Sequence, residues 1–544
     1  MKSSPRPFWS HNGAVATPNA LASGTALRVL AHGGNAVEAA IAAAATMAVV
    51  YPHMNGVGGD NVWLIYDGVH QQTQALLGVG AAGHHVSIEG YRERGITDKL
   101  PERGVLAANT APGAVGGWWE AYQYSTQHLG GHREWPELLA DAIEYAEVGY
   151  PVTESQILWS SVLPSVARQQ GVQGLLETYL RSSGQVPLVG ERQRIPQLAN
   201  TLRETAKKGR DGFYRGSVAE SIIEEIQASG GLLDFQDWSG PHASWDTPLS
   251  LTYRREYQLL NTPAPTQGMV ALMIMGIIDH FPIETWNVES AQYLHVMIES
   301  AKLALSVRNR ELGDRPFMKR SAADLLAPTY LRQLAQQIDP QGRAMLVGPV
   351  QPLDGGTVAI VTADKMGNAV SLIQSIYHDF GSGFLAQRSG VLLQNRGTSF
   401  SLQPGEPNSL LPGKRPAHTL TAAMTFNNGR PILVYGTMGG DGQPQTQSAI
   451  VTRVLDHKMN VLAGIGAPRW LYGRTWGVVR EEVLMEERFP PTVIEELRSR
   501  GHDVKLVGPY DDKLGHAQAL AIDYATGSMA AAADPRSDGA AYSW

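Results

Sequence analysis

The sequence predicts an α+β protein, and three observations carry that prediction. Helical patterning dominates residues 19–305. Strands and turns dominate beyond Thr357. Where the two regimes meet, residues 354–381 read DGGTVAIVTADKMGNAVSLIQSIYHDFG: two apolar runs, 358–361 and 369–373, around a turn at 365–368. That spacing is a β-hairpin signal. Length alone, 544 residues, suggests about three or four domains.

Taken in order, residues 19–31 read as a helix that stops at Gly33-Gly34, a C-cap pattern. Asn35 and Glu38 form a capping-box pattern for the next helix. The body of that helix, 39–48, is apolar on nearly every face, which predicts complete burial. Residues 62–66 read as a strand. Gly78–Gly83 matches GxGxxG, but a dinucleotide site needs a helix opening at the third glycine. His84-His85-Val86-Ser87 has no helical period, so a glycine-rich loop near a cleft is expected, with His84 and His85 as surface histidines. Helices are predicted at 135–145, 218–228 and 291–305, and a strand pair at 248–260. Residues 339–356, rich in Pro and Gly, read as loop, so the sharpest internal boundary falls between Gly356 and Thr357. Strands follow at 390–394, 422–426 and 431–435. A glycine-dense loop at 436–442 leads into a helix at 446–455, and a late helix covers 492–500.

Composition narrows the function. The net charge of −7 gives no basic face for nucleic acid. Cysteine is absent, which removes disulfides, thiolate catalysis and Cys-ligated zinc. The N-terminal residues lack the apolar core of a secretory signal, and the most apolar run, 39–50, is too short for a bilayer. A soluble, cytoplasmic protein with no membrane partner is expected.

Thr357 opens a buried strand directly behind two glycines. As an internal residue it is an ordinary strand threonine. As a new N-terminus it would be a nucleophile with its own base, because an α-amino group titrates at about 7.7–8.0. A cut at Gly356-Thr357 would leave pieces of 356 and 188 residues. Gly439 and Gly440 read either as a tight turn or as consecutive backbone donors for an oxyanion.

Taken together, these residues resemble the γ-glutamyltranspeptidase family of N-terminal nucleophile hydrolases. The likeness runs through GGNAVEAAIA (33–42), GVGGD (56–60), DGFYRGSVAESI (211–222), the Thr357 hairpin, GKRPAHT (413–419), YGTMGGDGQPQTQ (435–447) and ADPRSDG (533–539). The resemblance implies a four-layer αββα sandwich and self-cleavage into 1–356 and 357–544. It implies that the two pieces persist as a heterodimer, and admits a dimer of heterodimers. It makes Thr357 the nucleophile, Ser375 the hydroxyl that hydrogen-bonds it, and Gly439-Gly440 the oxyanion hole, with no metal or organic cofactor required.

The departures from the family pattern concern substrate. The arginine and glutamate that clamp a γ-glutamyl α-carboxylate are replaced by Val79 and Gly80. The glutamine and aspartate that hold the substrate ammonium become Arg396 and Ser399. The paired serines become His418 and Thr419, and the asparagine beside the nucleophile becomes Tyr377. A guanidinium repels an ammonium and binds a carboxylate bidentately. IQSIYHDFGSG (373–383), NRGTSFSL (395–402) and APRWLYGRTWG (467–477) resemble the oxamate amidohydrolase branch. The expected substrate is therefore a small carboxylated amide, with oxamate first. The rival readings are a γ-glutamyl hydrolase or transferase, a glutaryl-type cephalosporin acylase, a nucleotide-dependent oxidoreductase on Gly78–Gly83, and a non-catalytic relative. For Arg396 a surface arginine or a structural ion pair is the alternative. Tyr377 and His418 either line the pocket or pack beneath it, and Arg469 and Arg474 read as further anion ligands or as surface residues.

Overall fold

The computed structural model describes residues 6–166, 172–345, 356–473 and 482–544. Two antiparallel sheets form its centre. One has seven strands in the order Ala540–Ser543, Gly13–Thr17, Gly356–Asp364, Ala369–Tyr377, Asp60–Asp67, Gln72–Gly78 and Ser244–Asp246. The other has six: Ser528–Ala533, Ala517–Asp523, Arg430–Thr437, Ala423–Asn427, Tyr257–Asn261 and Leu249–Tyr253. Val62, Leu64, Ala359, Val361 and Ile373 of the first sheet share a buried layer with Met424, Val434 and Leu520 of the second. Helices Ala20–Ala31, Ala36–Val50 and Ala114–His128 cover the outer face of the first sheet, and Trp135–Val148 packs on Ala36–Val50. Helices Gly268–Ile278, Gly442–Leu455 and Val461–Gly466 cover the second, and Ala291–Glu311 packs on Gly268–Ile278. The result is the four-layer αββα sandwich of the N-terminal nucleophile hydrolases. The three or four domains suggested by length give way to a pair of sheets with a common core.

Local chemistry explains the central helix. Asn35 and Glu38 form the predicted capping box, and every residue of Ala36–Val50 is buried. Its alanines let the helix axis approach the hairpin, where larger side chains would overpack the layer. Polar bonds then fix its position: Ala36 N donates to Asp364 Oδ2 (2.8 Å) and Thr362 Oγ1 to Ala36 O (2.7 Å). Gln374 Nε2 donates to Ala44 O (3.2 Å).

The hairpin expected at 358–373 is longer than the apolar pattern, because Gly356 and Thr357 belong to its first strand and Tyr377 ends its second. Successive side chains alternate between the faces of a strand. Val358 and Ile360 pack under the helices, whereas Ala359, Val361 and Ala363 enter the layer between the sheets. By the same alternation Thr357 faces the intersheet side, at the end of that layer.

Several elements escaped the sequence patterns, among them strands Gly13–Thr17, Gln72–Gly78 and Ala517–Asp523 and helices Ala114–His128 and Pro196–Lys208, and two further ones did so for a plain physical reason. Helix Gly268–Ile278 is buried at every position, so it has no polar stripe to reveal a period. Strand Ser528–Ala533 is almost all alanine and carries little β propensity. No helix opens at Gly83, since only the short Ile88–Arg92 follows, and the dinucleotide reading fails there. Of the predicted loop at 339–356, residues 346–355 lie outside the described residues, as does Arg474. Among the described residues, no helix is long and apolar enough to cross a membrane.

Candidate active site

Thr357 is fully buried, and its Oγ1 donates to Ser375 Oγ at 3.3 Å. Ser375 in turn donates to the carbonyl oxygen of Gly356 and accepts the Tyr377 amide at 2.8 Å. The bridge exists because the hairpin bulges between Gln374 and Tyr377, setting Tyr377 opposite Gly356. Tyr377 adopts φ +79°, a strained value for a bulky side chain. The two sequence-predicted hydroxyls and the Gly356-Thr357 junction thus meet at one point.

Strand Arg430–Thr437 crosses the hairpin with its direction reversed. Ser371 Oγ donates to Tyr435 O at 2.8 Å, and a Cβ on Gly436 would lie 3.2 Å from that of Ala359. The strand therefore runs back towards the Thr357 end of the hairpin, and Gly439-Gly440 lie in the turn that follows its end at Thr437. Both glycines take positive φ (123° and 49°) just before helix Gly442–Leu455. Among the described residues their amides have no acceptor. Free amides at a helix N-terminus suit a developing anion. Gln267 buckles this loop to the neighbouring segment, donating to Gly440 O (2.9 Å) and Thr419 O (3.0 Å). Arg308, paired with Asp441, holds the Gln267 oxygen at 3.0 Å.

Arg396 is 0% exposed. Its Nη2 donates to Thr419 Oγ1 (3.2 Å), and its guanidinium carbon lies 3.5 Å from the Tyr377 ring centroid. Nε and Nη1 have no hydrogen-bond partner, and among the described residues no carboxylate forms an ion pair with it. Burial pulls the guanidinium down to about 10, against the opposing effects of Tyr377 and Asp60. A buried, unpaired charge is costly unless something neutralises it. Ser399, by contrast, directs its hydroxyl to Ala417 O at 3.1 Å and ties the 396–399 turn to the 417–419 segment.

His418 is buried beside this pair, with Nε2 2.9 Å from Asp60 Oδ2. Asp60 stands opposite Ser375 in the sheet and accepts the amides of Gly80 (3.2 Å) and Gly113 (2.8 Å). Burial, and then the Arg396 charge, hold the imidazole down at about 4, so it is neutral near pH 7. Asp60 was not among the expected site residues. Its signal was the acidic end of GVGGD, where a charge follows two glycines directly into a buried strand.

One reading of individual residues holds and one is corrected. His84 and His85 are exposed, as expected, and His84 Nδ1 contacts buried Asp237, which also accepts the His84 amide (2.9 Å). Arg469 is not a surface residue: it is buried and paired. It donates to Leu514 O (3.3 Å), Gly515 O and Ile465 O (3.1 Å), and pairs with Asp534 at 2.7 Å. Arg536 pairs with the other Asp534 oxygen (3.0 Å) and with Glu486 (2.6 Å). This cluster supports the 515–516 segment, whose His516 carbonyl accepts the Met438 amide (3.0 Å) just before the glycine loop.

The cluster predicts a pH effect on stability. Burial would raise the Asp534 carboxyl, but Arg469 and Arg536 draw it down to about 2. A depressed carboxylate stabilises the fold above its unfolded value, and that contribution is lost as pH falls through the folded one. Denaturant melts should show about 2 kcal/mol lost between roughly pH 4 and 2. In Asp534→Asn that component of the acid slope should vanish.

The sequence profile of the gamma-glutamyltranspeptidase family matches residues 22–544. The chain belongs to the γ-glutamyltranspeptidase family. Among the family's curated members, the oxamate amidohydrolase proenzyme of Klebsiella pneumoniae is 42% identical, over 98% of both chains. A glutathione hydrolase-like proenzyme of Bacillus subtilis is 37% identical, over 97% of both. Among solved structures, the cephalosporin acylase of Bacillus halodurans superposes with a TM-score of 0.91 at 32% identity, covering 100% of this chain and 98% of its own. The γ-glutamyltranspeptidase assignment makes the chain an amidohydrolase of the N-terminal nucleophile type. The family spans oxamate amidohydrolases, glutathione hydrolases and acylases.

The Val79-Gly80 departure has a steric counterpart. A Cβ on Gly80 would overlap the Ala111 carbonyl oxygen, and Val79 is itself buried. No side chain fits at Gly80, so a glutamate there cannot be restored by substitution alone.

Proposed function

We propose that this protein cuts its own Gly356-Thr357 bond and then hydrolyses a small amide bearing a carboxylate, with oxamate the first candidate. The observation that carries this reading is Arg396: a buried guanidinium with unpartnered donors, stacked on Tyr377, which sits opposite Gly356 in the hairpin. A substrate carboxylate would neutralise it, and an ammonium would be repelled. The 42% identity to the Klebsiella oxamate amidohydrolase supports the same choice.

In the uncut chain, Thr357 Oγ1 attacks the Gly356 carbonyl, whose oxygen Ser375 already holds. The Oγ1 proton passes to the Thr357 nitrogen as the Gly356-Thr357 C–N bond breaks, which frees the amine and leaves an ester; water then hydrolyses that ester, freeing the Thr357 hydroxyl and ending the 356-residue piece. In the mature enzyme the amine takes the Oγ1 proton as that oxygen bonds to the amide carbon. The oxyanion sits on the Gly439 and Gly440 amides. The amine then returns the proton to the departing nitrogen, the C–N bond breaks and ammonia leaves. Water opens the acyl-threonine, and oxalate and the free hydroxyl result.

Ammonia release from oxamate, compared with turnover of a γ-glutamyl anilide and a glutaryl-type amide, tests the substrate reading. Oxamate is expected to exceed both in kcat/KM. Absence of ammonia from oxamate, with either rival turned over, would replace the assignment with that of the favoured substrate.

A further inference from the structure

The site holds one unpartnered acceptor as well as unpartnered donors. His418 Nδ1 is buried and has no hydrogen-bond partner, as Arg396 Nε and Nη1 have none. The residue is held by its backbone and by Nε2. Its backbone amide donates to Pro265 O (2.8 Å) and its carbonyl accepts the Gln267 amide (2.9 Å). Its Nε2 meets the Asp60 carboxylate at 2.9 Å. A carboxylate only accepts, so the proton on the neutral ring must sit on Nε2. Nδ1 is then a bare lone pair. His418 and Arg396 are joined through adjacent Thr419, whose hydroxyl Arg396 grips.

We propose that Asp60 and His418 form a receptor for the amide N–H of the substrate, with Asp60 fixing the tautomer and His418 Nδ1 accepting the hydrogen bond. The proposal rests on the carboxylated-amide reading and adds the other half of recognition: Arg396 takes the carboxylate, His418 the NH2. A hydrogen bond to Nδ1 turns the nitrogen lone pair of the tetrahedral intermediate away from His418, towards the Thr357 amine that protonates it. An ester analogue has no N–H to offer, and its leaving oxygen would face a second lone pair. The receptor therefore selects primary amides over isosteric esters. Asp60 is a positioning residue here, acting only through His418.

The arrangement makes an unusual substitution informative. In Asp60→Asn, the Gly80 and Gly113 amides still demand an oxygen on their side. The new NH2 must then face His418 Nε2, which moves the ring proton to Nδ1. The acceptor becomes a donor without loss of side-chain volume.

The experiment compares oxamate with monomethyl oxalate on processed enzyme. Asp60→Asn should lower kcat/KM for oxamate about a hundredfold or more, the scale of a wrong-tautomer histidine. Monomethyl oxalate should fall far less or rise, so the amide-to-ester ratio collapses. The 15N spectrum, by difference against His418→Gln, should show the proton shift from Nε2 to Nδ1. Equal loss on both substrates, or an unmoved tautomer, overturns the proposal and leaves the carboxylated-amide reading standing. If wild-type enzyme turns over neither oxalyl compound, that reading falls and this one with it. Should Asp60→Asn fail to process, two other variants decide. His418→Gln, which presents an NH2 to Asp60 and an oxygen to the substrate, should keep the amide preference, and His418→Leu should lose it. The same ratio in both would overturn the receptor.

Discussion

Thr357→Ala should run as one 544-residue band where the wild-type protein gives two, near 356 and 188 residues, and should release no ammonia from any amide. The loss is expected to be complete because one atom serves both reactions. Without Oγ1, the Gly356 carbonyl that Ser375 holds has no attacking group, and the amine that would act as base is never freed. Thr357→Ser separates this from a packing effect, since it retains the oxygen and should still be cut, though without the methyl that fixes the rotamer. The Thr357 side chain is fully buried in the intersheet layer, so the alanine variant removes only a methyl and a hydroxyl and should fold. Two bands from Thr357→Ala on a denaturing gel would show that another group performs the cut.

The second large effect is expected at Arg396 and has two opposite signs. Arg396→Met should be cut normally, because the Thr357–Ser375–Gly356 chain of hydrogen bonds does not involve the guanidinium. Turnover of the carboxylated amide should fall, by about 1.5–3 kcal/mol in transition-state binding for the lost charge-assisted contact. Stability should rise. Burial holds the guanidinium well below its ordinary value, at about 10, so below about pH 10 the folded state carries the whole penalty of an unpaired buried charge. A shift of that size corresponds to roughly 3 kcal/mol, and a similar-sized apolar side chain removes it. As pH rises above about 10 the difference between variant and wild type should shrink, as the folded protein alone loses the proton. Equilibrium denaturation together with steady-state kinetics checks both signs. An unchanged KM and kcat/KM would refute the substrate role, and an unchanged or lower stability would refute the unpaired-charge account.

How far the sequence alone could go depended on whether the signal was local. The hairpin around Thr357 was legible because β-branched alternation and a Gly-Asn turn are local properties. The capping box of Asn35 and Glu38 was legible for the same reason. Arg396 was readable as a change of charge type, but its burial and open donors were not, because they depend on Tyr377 and Thr419 from other segments. Asp60 lay hidden: its partner His418 is 358 positions away, and only the sheet sets it opposite Ser375. Arg469 misled for the reverse reason, since an arginine in a tryptophan-rich, glycine-bearing stretch looks exposed until Asp534 arrives from the far end of the chain. Helix Gly268–Ile278 was lost to its own uniform hydrophobicity.

Strand Gly13–Thr17 lies between Ala540–Ser543 and Gly356–Asp364, hydrogen-bonded to both. A break at Gly356-Thr357 would leave a ribbon of the first piece threaded between two ribbons of the second. Neither could then leave without rupturing the seven-stranded sheet, so the halves would stay together with no covalent link. The molecularity of folding would nevertheless change. The uncut chain finds its register as a single molecule, at a rate independent of concentration. After the cut, a melted enzyme would have to bring two separate chains together and reinsert that ribbon. Recovery from denaturation should therefore become concentration-dependent and inefficient, and maturation would exchange reversible folding for kinetic persistence.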